Sequence, residues 1–223
     1  NNAIFEKHLL VELAKFNNKY FPSPEYKRKV AKRVINEYEY SKEKEREFIP
    51  IYDDLIQKYQ IKVKQDKDET FLDRWFLEPV RKEIDFLAKE IELIEDTDVR
   101  NVLSIILSRT VRSCRATTHA DLATLKEPVT TTYYCKKHGK ICKPIFSITK
   151  WWEFYTKDTL NRLKQFEKIR TNTFQLCITG DSRTIDIYEE VKRKNRDFAE
   201  ILLREKIRGI FSSPPYVGLI DYH

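Results

Sequence analysis

Between Ala3 and Ser113 apolar side chains recur at three- and four-residue intervals in four stretches: "AIFEKHLLVELAKF", "PEYKRKVAKRVINEYEYSKEKEREF", "ETFLDRWFLEPVRKEIDFLAKEIELIE" and "DVRNVLSIILSRTVRS". That spacing puts the apolar groups on one face of a helix, so the first half of the chain is predicted to be packed helices. Pro22, Pro24, Pro50 and the "EDTD" at Glu95 to Asp98 punctuate the stretches, the last with side-chain oxygens suited to capping the next helix. Pro79 lies inside a stretch and is expected to kink or split it. From Thr117 to Phe146 the periodicity is lost, and so long an irregular segment in a compact chain reads as functional or partly disordered rather than as an ordinary connection. Helix is expected again from a Ser147 cap to Ile169, in "SITKWWEFYTKDTLNRLKQFEKI". Trp151 and Trp152 begin it; adjacent residues face different ways, so at least one is expected in the core.

Beyond Thr171 the pattern changes. "TFQLCIT" is β-prone, "GDS" is a turn, "IDIYEEVKRKNRDFAEILLREK" is amphipathic and "IRGIFS" is a second buried-type strand. Strand, turn, helix, strand is one βαβ crossover whose parallel strands end at the same edge, where ligands of open α/β sheets bind. Asp181 and the residues from Ser213 to Tyr216 would then face one crevice. The tip "SSPPY" sets two prolines after a strand, where neither can donate a ladder hydrogen bond; such a tip is shaped for something other than pairing.

Those residues carry a resemblance. "SSPPYVGLIDYH", "GDSRTID", "YYCKKHGKICKP" and "LSRTVRSCRATTHADLATLKEP" are similar to the amino-group DNA methyltransferases of restriction-modification systems, over the second half of the chain. The resemblance implies a predominantly helical N-terminal region joined to part of a Rossmann-like methyltransferase sheet, an α/β fold. It implies S-adenosylmethionine as cofactor and double-stranded DNA as partner. It also implies methylation of an exocyclic base amine; Ser as the first residue of the motif favours cytosine N4 over adenine N6. Ser213, Pro214, Pro215 and Tyr216 are the implied catalytic residues, with Asp181 and Ser182 at the cofactor. The chemistry agrees: the amine lone pair is delocalised into its ring, and acceptors such as the Ser213 hydroxyl and Pro214 carbonyl would localise it. Tyr216 would stack on a flipped base.

The four glycines, Gly139, Gly180, Gly209 and Gly218, include no Gly-x-Gly pattern, so the cofactor's usual glycine-rich turn is expected from a missing segment or a second chain. The absence of methionine, even at position 1, agrees with a partial chain. The expected regions are 1–116, helical; 117–146, a basic Cys/His-containing loop region; and 147–223, helix plus βαβ.

Forty-two Lys and Arg against 35 Asp and Glu leave a net charge of +7, which favours a polyanionic partner. Arg109, Arg112 and Arg115 read as one helical stripe for phosphate or guanine. "CKKHGKIC" offers Lys136, Lys137 and Lys140, with Lys143 beyond, to DNA phosphate. Cys135, His138 and Cys142, with Cys114 or His119 as a fourth ligand, give a zinc reading, but the spacing is not that of a paired Cys-x-x-Cys ribbon and no metal ligand is assigned. "KRKVAKR" from Lys27 to Arg33 reads as a backbone grip or as a solvated helix face. Four cysteines are too few for a disulfide scaffold, and no apolar run spans a membrane, so a cytoplasmic protein is expected. Two rival readings stay open: a non-catalytic helical DNA-binding or specificity module with a degenerate tip, and a zinc-dependent RNA-binding or RNA-modifying protein.

Overall fold

The computed structural model describes residues 1–119, 127–181, 183–205 and 209–211. It divides into two compact units, 1–165 and 166–223. Unit 1 holds helices α1 (Asn2–Tyr20), α2 (Pro24–Ala31), α3 (Glu37–Tyr59), α4 (Phe71–Trp75), α5 (Glu78–Glu92) and α6 (Thr97–Ser113), strands β1 (Tyr133–Cys135) and β2 (Lys140–Cys142), and most of α7 (Thr149–Ile169). Unit 2 holds α8 (Ile187–Lys194) and α9 (Arg196–Arg204).

The helix boundaries follow local chemistry. Pro24 opens α2 in its first turn, where the missing N–H costs nothing, and Ser23 caps it by accepting from Tyr26 N. Pro79 splits its stretch into α4 and α5, sitting in the first turn of the second. Asp96 caps α6 through the N–H groups of Asp98 and Val99. Ser147 Oγ accepts from Thr149 N at the start of α7. Glu83 of α5 adds its carboxylate, taking the Ile148 N–H at 2.7 Å, and a negative charge at a helix N-terminus is favourable.

Pro50 departs from expectation: α3 runs straight through it. Its ring sits on the exposed side, where water can serve the orphaned carbonyl, and the burial of Phe48, Tyr52 and Leu55 around it holds the helix together.

Phe5, Leu9, Leu13 and Asn17 are buried at four-residue spacing along α1. They meet Phe48, Tyr52 and Leu55 of α3, Trp75 to Leu77, Val80 and Ile84, and the residues Ile141, Phe146 and Ile148 that follow the irregular region. Phe5 lies edge-on to Phe146 at 4.9 Å, so the core is closed partly by a segment distant in sequence. Trp151 packs against this core, as one of the two tryptophans was expected to do.

Unit 2 does not form the expected βαβ crossover among the described residues. Residues 173–179 carry no strand, and the amphipathic stretch breaks at Asn195 into α8 and α9, which pack on each other. A strand needs a hydrogen-bonded neighbour, and among the described residues this run has none. Instead Phe174 stacks on Phe198 of α9 at 5.4 Å, and the Cys177 carbonyl accepts from Lys194 at 2.9 Å. Of "IRGIFS", residues 209–211 carry no strand and the rest lies outside the described residues. Among the described residues no helix is long and apolar enough to cross a membrane.

Candidate functional site

The segment read as an irregular basic loop contains an antiparallel hairpin. Tyr133 pairs with Cys142, Tyr134 with Ile141 and Cys135 with Lys140. The turn closes on the Cys135 carbonyl, which accepts from Gly139 N at 2.7 Å and His138 N at 3.1 Å. Gly139 sits there at φ +60°, a conformation that a side chain disfavours.

Strand alternation gives the hairpin two faces. Tyr134 and Ile141 join the helical core; Tyr133, Cys135 and Cys142 form a separate buried cluster with Val129. Two helices hold the core-facing side by its backbone. Asn17 of α1 donates through Nδ2 to Ile141 O and accepts from Ile141 N through Oδ1, both at 2.9 Å, so its buried amide acts like a strand residue. Glu45 of α3 accepts from Tyr134 N at 2.9 Å, and Glu37 accepts from the Tyr134 hydroxyl at 2.7 Å. Tyr52 donates to Thr130 O at 2.7 Å, and burial raises its phenol well above the usual range.

The other face gathers soft donors. After α6 the chain is tied back, with Ala116 N donating to Trp75 O and Val129 N to Ala116 O, both at 2.7 Å. That tie brings His119 beside β1, where Tyr133 Oη lies 2.9 Å from its Nδ1 and accepts from its backbone N at 3.1 Å. His119, Cys135, His138 and Cys142 come together with one ligand atom each, all within 4.8 Å of one another. His138 Nδ1 is 3.5 Å from each of the two sulfurs. Burial, then the His138 charge and those of Lys137, Lys140 and Lys143, lower the His119 imidazole below its usual value. Burial and the adjacent Cys135 push the Cys142 thiol up. Cys114, the other fourth ligand considered from sequence, instead lies in the helical core, its thiol pushed up to about 12 by burial and the Glu83 charge.

The basic residues divide. Lys136, Lys137 and Lys140 are exposed on the hairpin turn, and none forms an ion pair among the described residues. Lys143 pairs with Glu6. Lys27 of α2 and the turn residues His138 and Gly139 line one cleft of about 290 Å³, floored by Tyr26 and Tyr134. The stripe of Arg109, Arg112 and Arg115 is not one helical row, because α6 ends at Ser113 and Cys114 turns the chain into the core. Arg112 is exposed, and Arg115 donates to the Arg112 carbonyl at 3.0 Å. Arg109 docks α7: it meets Asp158 at 2.5 Å and Thr159 at 3.0 Å, and lies 4.5 Å from the Tyr155 ring centre. Bonding to Arg109, then to Arg162, holds the Asp158 carboxyl below its usual value.

In unit 2, Asp181 is exposed and bound by Arg183, whose Nη2 is 2.6 Å from Oδ2 and whose backbone N lies 3.0 Å from Oδ1. That bonding lowers its pKa, leaving an ionised acceptor. A side chain at Gly180 would meet the tip of the Ile185 side chain, which would have to shift to admit it. Ser182, Ser213, Pro214, Pro215 and Tyr216 lie outside the described residues. Sequence reasoning missed Asn17 and Glu45, since nothing local marks a residue that bonds a strand more than 80 positions away.

No protein-family model matches the chain, and no solved structure does. The chain is 46% identical over 226 residues to the Type II methyltransferase M.MjaII of Methanocaldococcus jannaschii, an alignment that takes in 98% of this chain and 42% of that protein. It therefore spans less than half the length of the curated relative it matches. Over nearly its whole length the chain is therefore similar to part of a Type II methyltransferase.

Proposed function

We propose that the protein takes part in S-adenosylmethionine-dependent methylation of an exocyclic amine in double-stranded DNA, at cytosine N4 rather than adenine N6. The observation that carries this reading is the 46% identity extending over 98% of the chain. The cofactor supplies an electrophilic methyl group. Ser213 Oγ and the Pro214 carbonyl accept the two amine N–H groups and localise the nitrogen lone pair, Pro215 stiffens the tip, and Tyr216 stacks on the extruded base. Asp181 fits the adenine amine of the cofactor, because it is exposed, ionised and oriented by Arg183; Ser182 adjoins it. Lys136, Lys137, Lys140 and Arg112 are exposed cations suited to phosphate, and Arg115 follows three residues after Arg112. Arg109 serves instead to hold α7. The glycine-rich cofactor turn comes from a further segment or a second chain. Regions 1–116, 117–146 and 147–223 are proposed as helical support, DNA-contacting turn and catalytic part.

The test incubates the chain, alone and with a polypeptide carrying a glycine-rich cofactor segment, with labelled S-adenosylmethionine and DNA of diverse sequence, then digests the DNA to nucleosides. Label in N4-methylcytosine supports the reading, and label in N6-methyladenine corrects its target. Salt-dependent DNA binding with no transfer in either arrangement would leave the non-catalytic DNA-binding module.

A further inference from the structure

We propose that His119, Cys135, His138 and Cys142 bind one zinc ion in a closed, four-coordinate structural site. The geometry suits the ion. Zinc bonds of about 2.3 Å to sulfur and 2.0–2.1 Å to nitrogen place tetrahedral ligand atoms roughly 3.3–3.8 Å apart. His138 Nδ1 lies 3.5 Å from both Cys135 Sγ and Cys142 Sγ, and all four donors fall within 4.8 Å of one another. Separations of up to 4.8 Å need close by no more than about 1.5 Å to reach that scale.

The surroundings assign the coordinating nitrogens. The two sulfurs face His138 Nδ1, so that atom is its ligand. Tyr133 Oη occupies His119 Nδ1, which leaves Nε2 to the ion. With Nε2 bound, Nδ1 carries the proton and donates it to Tyr133 Oη, which also accepts from the His119 backbone N. Such a partner on the far nitrogen fixes tautomer and ring orientation. Two thiolates cancel the charge of a divalent ion and two neutral imidazoles add none, so the site, whose sulfurs are buried, is neutral even beside Lys136, Lys137 and Lys140. Two sulfurs and two nitrogens in a tetrahedron favour zinc among common metals, and four protein ligands leave no position for substrate.

The site also answers a mechanical need. Strands of three residues cannot sustain a hairpin alone, and among the described residues the cluster face of this one buries only Tyr133, Cys135 and Cys142, with Val129 packed against them. One ion would join both strands, the turn and the segment after α6. The assignment does not rest on the methylation reading.

Elemental analysis of the chain purified without added metal is expected to find about one zinc per chain. Replacement by Co(II) is expected to give the visible bands of a tetrahedral ion and the near-ultraviolet charge transfer of thiolate ligands. Cys142→Ser and His119→Gln should lose the stoichiometric metal, whereas Cys114→Ser should keep it. Tyr133→Phe, which alters a positioning residue, should weaken affinity about tenfold and retain the cobalt bands. Should Cys142→Ser fail to fold, the cobalt spectrum of the unaltered chain decides alone. Absence of stoichiometric zinc after anaerobic reconstitution, cobalt spectra without thiolate bands, or an intact mass showing a Cys135–Cys142 disulfide in the freshly isolated protein would each overturn the proposal.

Discussion

Unit 1 and unit 2 solve the same folding problem with unequal means. In residues 1–165 apolar side chains of α1 to α7 and of one hairpin close on a shared aromatic core, and polar side chains such as Asn17 and Glu45 satisfy the strand edges. In residues 166–223 only Val191 and Ala199 are buried among the described residues, while Ile187, Leu203, Ile210 and Phe211 are exposed. Both units form well-capped helices: Asp186 caps α8 through Glu189 N, and Asn195 caps α9 through Phe198 N, each at 3.0 Å. Caps are local and suffice to start a helix, but a core needs enough chain to cover itself, and a strand needs a neighbour.

Substitution can break that contrast. Phe48→Ala, in the fully buried centre of unit 1, is expected to cost about 3–5 kcal/mol in urea unfolding followed by tryptophan fluorescence. The matching change Phe174→Ala in unit 2, where the ring is 43% exposed, is expected to cost about 1 kcal/mol or less. Equal losses would show that the two units share one core. Asn17→Leu leaves the Ile141 N–H and carbonyl buried without partners and is expected to cost about 2–5 kcal/mol, with faster hydrogen exchange at the Ile141 amide. Metal chelation should release amide protection in the hairpin and leave that of α8 and α9 unchanged; uniform release would erase the distinction. Lys136→Ala, Lys137→Ala and Lys140→Ala should each lower the salt-dependence slope of DNA binding by about one, measured by titration at several ionic strengths.

The smallest effect concerns pH. Arg109 lowers the folded pKa of Asp158, so the unfolded chain binds the proton more readily, and the pair stabilises the fold above the ordinary carboxylate value of about 3.9. That contribution is lost as pH falls through the lowered folded value. Arg109→Gln should remove this acid-range component from α7 docking, followed by the fluorescence of Trp151, and leave neutral-pH DNA contacts from the hairpin lysines intact.

The legible features were those written within a few residues of one another. Pro24 and Pro79 mark helix starts because a missing N–H is harmless there, and Asp96 and Ser147 announce themselves as caps. Pro50 misleads because its cost depends on which side of α3 meets water. "TFQLCIT" misleads because β propensity describes a fit to a pleated neighbour, and Phe174 finds the Phe198 ring instead. Arg109 reads from sequence as a nucleic-acid contact, yet Asp158 and Tyr155 claim it from 49 and 46 positions away.

The four-donor cluster divides along the same line. "CKKHGKIC" carries Cys135, His138 and Cys142 in eight residues, so three donors were visible in the chain, but Cys114 and His119 were equally placed to be the fourth. Only the tie of Ala116 to Trp75 and Val129 sends Cys114 inward and His119 to the hairpin. The sequence by itself determined most of the helices, their caps and the similarity to a Type II methyltransferase, because periodicity, capping and identity are properties of the order of residues. Tertiary structure decided the hairpin, the fate of each arginine and the donor set, because those depend on groups such as Asn17 and Ile141 meeting across 124 residues of chain.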